Sequence, residues 1–213
     1  MKSGFLQRIL IAKLFTYRDG RLLLMDVPCY LWSLNVLVLM HRFLEDEFGQ
    51  QGRSILFKVM ETQCILAAKM TQKRFGFSGL KAIKMQLEQG EMIGGGETEL
   101  IRADVKKPEF IVKVKSTFAE EYKNTFGLRQ HPVDDMILGA YTGLFQEQTG
   151  NKKLVCIETQ CIATGKPYCE FVIREKGTFD IRKPDIARQL PLRFKHDVSK
   201  YLDPLGPPVR RKI

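Results

Sequence analysis

Apolar and polar residues alternate with two clear periods along the chain, and the period changes several times. Ile9–Tyr17 and Arg21–Met25 read as strands joined through Arg18-Asp19-Gly20, where Asp-Gly supplies the positive φ angles of a tight turn. A helical face over residues 5–15 competes with the first of these strands. Residues 29–48 then form a long apolar stretch behind Pro28, which suits a first helical turn, and ahead of Gly49, which suits a stop. Leu31, Leu34, Val38 and Leu39 share one face of this helix, and its apolar character predicts a central core helix. A second helix is expected over Ser54–Arg74, with Ile55, Val59, Ile65, Ala68 and Met70 as its buried stripe. A third falls near Leu80–Leu87.

Strand periodicity returns after Gly94-Gly95-Gly96. That triplet lacks the Lys-Ser/Thr of a phosphate loop and reads as a turn. Glu97–Ala103 and Glu109–Thr117 alternate around Lys106-Lys107-Pro108. Ala119–Gly127 reads as polar and irregular. His131-Pro132-Val133-Asp134-Asp135 opens a helix that carries Gly139, Ala140 and Gly143 and ends near Gly150. Lys153–Ala163 and Pro167–Ile173 form a last hairpin, and prolines interrupt the rest. The order hairpin, helices, hairpin, helix, hairpin predicts an α+β fold with an antiparallel sheet covered by helices on one face. Residues 1–175 form the expected domain and 176–213 a Pro-containing C-terminal extension.

Composition changes this picture in one place. The net charge is +10 in 213 residues. From Arg174 to the end there are 11 Lys/Arg against 5 Asp/Glu, so +6 of the excess sits in the extension and the body is near balance. Phe194 and Tyr201 suggest that part of this extension packs. A basic extension can meet nucleic acid, an anionic surface or a protein partner. No apolar window of about 18 residues reaches membrane-spanning length, and no secretory signal is evident. A cytoplasmic location with reduced thiols is expected.

The chemistry concentrates near the end of the body. Cys156, Cys161 and Cys169 are three of five cysteines, the others being Cys29 and Cys64. With Thr164-Gly165-Lys166 as a three-residue loop, Cys161 falls opposite Cys169, where Cβ atoms stand about 4.5–5.5 Å apart. That spacing suits two thiolates on one ion at about 2.3 Å each. It also suits a disulfide, a redox pair or two merely adjacent thiols. Glu158 joins them only if a bulge near Thr159 or Gln160 adds a half-step; Cys156 is not counted. Asp134 and Asp135 are the nearest candidates for a fourth ligand and His131 a weaker one, although Asp at a helix start also serves as a cap.

Gly139-Ala-Tyr-Thr-Gly143, then Gly150, Glu158-x-x-Cys161 and Gly165-x-x-x-Cys169-x-Phe171 resemble the C-terminal signature of the 4-vinyl reductase domain family. Asp19-Gly20-Arg21, the helix ending Glu-Phe-Gly49 and the glycine-punctuated helix beyond Gly52 are similar to its opening. The resemblance spans roughly residues 10–175. It implies a fold shared with TRAPP tethering subunits and with the sensor domains of aromatic-responsive transcription activators, usually homodimeric, with a small apolar molecule bound between helices and sheet. It also implies a zinc ion on Glu158, Cys161 and Cys169. Where the pattern has a further Cys, this chain has Asp134-Asp135. The His and Trp of the phenol sensors have no matching partners: the only Trp is Trp32, and His41, His131 and His196 stand elsewhere. Phe57, Met60 and Tyr141 are the candidate pocket residues. No nucleotide fingerprint or acid/base pair for catalysis is present, so a non-enzymatic zinc-containing sensor is expected. A TRAPP-like scaffold or tether, and a nucleic-acid-associated regulator acting through the basic extension, are the alternatives.

Overall fold

The computed structural model describes residues 15–24 and 27–191. Phe15–Arg18 (β1) and Arg21–Leu24 (β2) pair antiparallel, and Val27–Cys29 (β3) adds an edge strand. Asp19 (φ 52°) and Gly20 (φ 73°) both take the left-handed conformation that a two-residue turn of this kind requires. The predicted arm over residues 9–14 lies outside the described residues, as do Met25 and the extension from 192 onward, with Phe194 and Tyr201.

Pro28 does not open a helix. It pairs with Leu23 on the edge strand, where its missing N–H breaks no ladder bond. The first helix, α1, begins later, at Leu34–Phe48, behind Ser33. It is also not central. Val38 and His41 are buried, but Leu39 is 56% and Phe43 61% exposed.

The central helix is the next one, Gln50–Phe75 (α2), and of the apolar stripe expected for it only Ala68 is fully buried, with Ile55, Ile65 and Met70 half-buried. Val59 is 54% exposed, whereas Arg53, Ser54, Glu61, Thr62 and Thr71 are buried with Leu56, Phe57 and Ala68. The reason is the partner. Helix Asp135–Thr149 (α5) presents Gly139 and Gly143 to the α2 backbone. A Cβ on Gly139 would stand 2.0 Å from the Phe57 carbonyl oxygen, and one on Gly143 2.2 Å from that of Glu61. The helices meet main chain to main chain, so small and polar residues replace an apolar seam.

Between them in sequence lie Gly79–Met92 (α3), the strands Gly96–Asp104 (β4) and Glu109–Ser116 (β5), and Thr117–Phe126 (α4). The segment expected to be irregular is this last helix. Ser116 caps it by accepting from the Ala119 N–H at 3.1 Å, and Phe118, Ala119 and Tyr122 bury one face. Leu154–Gln160 (β6), a 3-10 turn at Ile162–Thr164 and Cys169–Glu175 (β7) complete the sheet. A second 3-10 turn at Lys176–Thr178 and helix Pro184–Gln189 (α6) follow.

The main sheet runs β4-β5-β7-β6, antiparallel throughout. One face carries Phe110, Val112 and Val114 from β5, Phe171 and Ile173 from β7, and Leu154 and Cys156 from β6, all buried. Across them lies α5, with Phe145 at 4.7 Å from Phe110 and Tyr141 at 5.3 Å from Phe171, ring centre to centre. Each such buried side chain contributes about 1.5–3 kcal/mol relative to exposure. This layer fixes the last hairpin against the first turn of α5. Residues 176–191 also hold to the body. The Gln189 side chain accepts from the Glu158 N–H at 2.7 Å and donates to its carbonyl at 2.9 Å, closing the open edge of β6.

Candidate metal centre

Strand β6 loses its regular register just before the cysteines. Partner numbers on β6 and β7 add to 329 from Leu154↔Glu175 through Glu158↔Phe171, and to 330 at Gln160↔Glu170. Thr159 is the inserted residue. This is the half-step that Glu158 needs to share a face with Cys161 and Cys169. The three-residue loop is replaced by a longer connection, 161–168, wound through the 3-10 turn, with Gly165 at φ 88°. The Cys161 carbonyl accepts from the Thr164 N–H at 3.1 Å and the Lys166 N–H at 3.2 Å, so the turn claims it. The Ile162 N–H is directed at Cys169 Sγ, 3.3 Å away, which favours negative charge on that sulfur.

The first turn of α5 approaches this hairpin. Asp134 stands at the N-cap position, yet its carboxylate caps nothing. Its Oδ1 accepts from Ser116 Oγ at 3.0 Å, and its backbone N–H donates to Glu158 Oε2 at 3.3 Å. One ligand atom from each of Asp134, Glu158, Cys161 and Cys169 lies within 4.8 Å of every other, and all four residues are buried. Asp134 Oδ2 and Glu158 Oε1 are buried without a hydrogen-bond partner. Such orphaned acceptors are costly, and two of them aimed into one cluster of soft and hard donors form the environment a cation requires.

Protonation in the bare cluster tells the same story. Burial, against hydrogen bonds from its neighbours, pushes the Asp134 carboxyl up to about 6. Burial and the Asp134 charge push Glu158 well above the carboxylate range. The hydrogen bond between the sulfurs, followed by burial, raises Cys169; the same bond lowers Cys161. Asp134, Glu158 and Cys169 are each pushed toward their neutral forms while Cys161 is pushed the other way, and among the described residues no Lys or Arg pairs with any of the four. A divalent ion reverses this logic, deprotonating the thiols outright.

Asp135 takes no part. Its Oδ2 accepts from Arg53 Nε at 2.8 Å and lies 2.8 Å from His41 Nε2, and its Oδ1 accepts from the other end of the same guanidinium at 3.0 Å. His131 also stays out, with Nδ1 4.0 Å from Asp185. Cys156 is buried two residues before Glu158, and its N–H donates to Thr142 Oγ1 at 2.9 Å. Of the pocket candidates, Phe57 is buried in the core and Met60 is half-buried on α2, while Tyr141 packs on the opposite side of α5, against Phe145 and Phe171. A groove of about 310 Å³ beside the cluster is lined by Gln130, Glu158, Gln160, Lys166, Asp185 and Gln189, and includes none of the three. Trp32 is exposed before α1, and His196 lies outside the described residues.

Sequence reasoning missed Arg53, His41, Ser116 and Gln189. Ser116 carried a signal: a serine just ahead of Phe118 and Tyr122, which stand one helical turn apart, marks an N-cap. The other three are single polar residues whose partners lie far away in sequence, and nothing local distinguishes them.

No protein-family model and no curated protein matches the chain. Among solved structures, the phenol-responsive sensory domain of the transcription activator PoxR with phenol matches over 90% of this chain and 100% of that one, with TM-score 0.74 and 15% identity. The fold is that of this sensory domain. Two more distant matches are a trafficking protein particle complex subunit 3 from Naegleria fowleri, covalently bound to palmitic acid (14% identity, 67% of this chain and 95% of that one, TM-score 0.47), and a vinyl-4-reductase family protein from Methanocaldococcus jannaschii (18% identity, 69% and 98%, TM-score 0.42). The α+β architecture agrees with the expected one. No described helix is long and apolar enough to cross a membrane.

Proposed function

We propose that this chain is a non-enzymatic sensor domain in which zinc, held by Asp134, Glu158, Cys161 and Cys169, fastens hairpin β6–β7 to the start of α5, and in which a small apolar molecule binds between helices and sheet. The observation that carries the metal is the pair of orphaned buried oxygens beside two thiols. Ligand-to-ligand spacing around tetrahedral zinc, from bonds of about 2.3 Å to sulfur and 2.0–2.2 Å to oxygen, is about 3.3–3.8 Å, so a group spread over no more than 4.8 Å needs only a small contraction. Four protein ligands leave no open position for a substrate, which supports a structural rather than a catalytic ion. Two carboxylates make the site harder than a thiolate-rich one, and zinc tolerates both donor types.

The likeness to a phenol-responsive domain supports ligand binding. Phenol itself is a poor expectation, because His41 is committed to Asp135, His131 lies near Asp185 and Trp32 is exposed ahead of α1. The route from site to surface is short. Asp134 holds the ion, and its neighbour Asp135 grips Arg53 of α2 and His41 of α1. Helix α1 and its approach present Trp32, Val36, Leu39 and Phe43, spaced four, three and four apart and all exposed. This stripe supports a homodimer formed through α1. It equally suits another protein, which is the scaffold reading.

Native mass spectrometry of the purified protein tests these claims together. One zinc per chain, a retained apolar compound and a two-chain mass are expected. Metal-free protein that carries no small molecule and unfolds identically after Cys169→Ser overturns the sensor reading; a captured protein partner with no small molecule favours the scaffold.

A further inference from the structure

The turn between α2 and α3 combines two features that the centre and the α1 stripe do not use. The first is charge. Lys69, Lys73, Arg74, Lys81 and Lys84 fall between Glu61 and Glu88, with no acidic residue among them. Lys69, Lys73, Lys81 and Lys84 are exposed, and none has an acidic partner among the described residues. The second is an aromatic apex. Helix α2 ends in Phe75, Gly76 takes the left-handed conformation at φ 67°, and Phe77 follows before α3 starts at Gly79. The two rings stack at 6.3 Å with planes 27° apart, and Phe75 is 39% exposed. Lys81 Nζ sits 3.7 Å from the centre of the Phe77 ring.

We infer that this apex docks on an anionic lipid bilayer. Phe75 and Phe77 enter the headgroup layer, and the surrounding lysines meet lipid phosphates and carboxylates. Aromatic rings prefer the boundary between water and hydrocarbon, where one edge is apolar and the other wet. Basic residues near a negatively charged leaflet each add attraction that fades within a Debye length. Because the rings stack on each other and lysine covers Phe77, the apex offers a wedge rather than the separate open ring faces on which nucleic-acid bases stack. A membrane contact here is independent of the metal centre and of the basic extension.

Co-sedimentation of the full chain tests it, using vesicles of phosphatidylcholine alone and vesicles with about one third phosphatidylserine at low ionic strength. Binding is expected only to the second kind. Phe75→Ser with Phe77→Ser, and separately Lys73→Gln with Lys84→Gln, are each expected to weaken partitioning about tenfold. Unchanged circular dichroism would establish that these substitutions, at half-buried Phe77 and at exposed Phe75, Lys73 and Lys84, leave the fold intact. Binding that survives both pairs unaltered would assign vesicle attachment to residues elsewhere and overturn the inference. So would failure to bind phosphatidylserine, or a defect confined to a fluorescent RNA oligonucleotide used as competitor probe.

Discussion

Asp134 and Asp135 are adjacent, both buried, and solved in opposite ways. Asp135 has its charge answered from within the protein: Arg53 grips both oxygens and His41 stands against one. Asp134 has a hydroxyl from Ser116 on one oxygen and nothing on the other, and it faces Glu158 and two thiols that are themselves acidic. Asp135 is paired with a cation of the chain itself, whereas among the described residues Asp134 has no such partner, and burial raises its carboxyl to about 6. The contrast also separates two kinds of buried electrostatics. The first should respond to mutation alone, the second to metal.

The largest expected effect strikes the self-sufficient side. Arg53→Met leaves the buried Asp135 with His41 as its one remaining side-chain partner, and breaking a buried pair in this way costs about 3–5 kcal/mol. Urea unfolding with and without chelator should show the same loss in both conditions. Arg53→Met combined with Asp135→Leu and His41→Phe should recover much of it, because an apolar cluster of similar size often replaces a buried ion pair at little cost. A loss that vanished under chelator would mean that the ion pair serves the metal centre rather than standing apart from it.

The next effect strikes the other side. At a zinc concentration 100-fold above the dissociation constant, a site formed only in the folded state adds about 2.7 kcal/mol. A strong chelator should remove that amount, and Cys169→Ser or Cys161→Ser should make the protein indifferent to the chelator. Cys156→Ser is the control: its sulfur is buried outside the cluster, so any cost there should be equal with and without metal.

How much of this was legible depends on distance along the chain. The presence of a final hairpin, the need for a bulge near Thr159 or Gln160 and, given that bulge, the convergence of Glu158 with the sulfurs follow from strand period, which is local; the loop did not, since a 3-10 turn lengthens it to 161–168. The identity of the fourth member did not, because Asp134 and Asp135 are equivalent in sequence and only the direction of the first turn of α5 separates them. Helix α2 misled for a related reason. Apolar periodicity marks a helix that packs side chain to side chain, but α2 meets Gly139 and Gly143 through its backbone, so its buried face holds Arg53 and Glu61 while Val59 looks outward. Helix α1 misled in the opposite direction, since its apolar residues exceed what the described residues cover, leaving Val36, Leu39 and Phe43 exposed. Gln189, which closes the edge of β6 from 31 residues away, had no local signature at all.

The smallest effect is the most discriminating, because one residue touches both halves of the comparison. Ser116 Oγ accepts from the Ala119 N–H, capping α4, and donates to Asp134 Oδ1. The first role is metal-independent and worth about 1 kcal/mol. The second orients a ligand, and losing such a partner weakens metal binding about 10- to 100-fold. Ser116→Ala should therefore cost about 1 kcal/mol in chelated protein and more in zinc-loaded protein, with the excess appearing as a weaker zinc affinity in a competition titration against a coloured chelator. Ser116→Thr keeps a hydroxyl for both partners and should restore the affinity. Equal losses with and without zinc would reduce Ser116 to a helix cap and remove Asp134 from the ligand set. A loss seen only with zinc would show that the bond to Asp134, rather than the cap, is what the serine contributes.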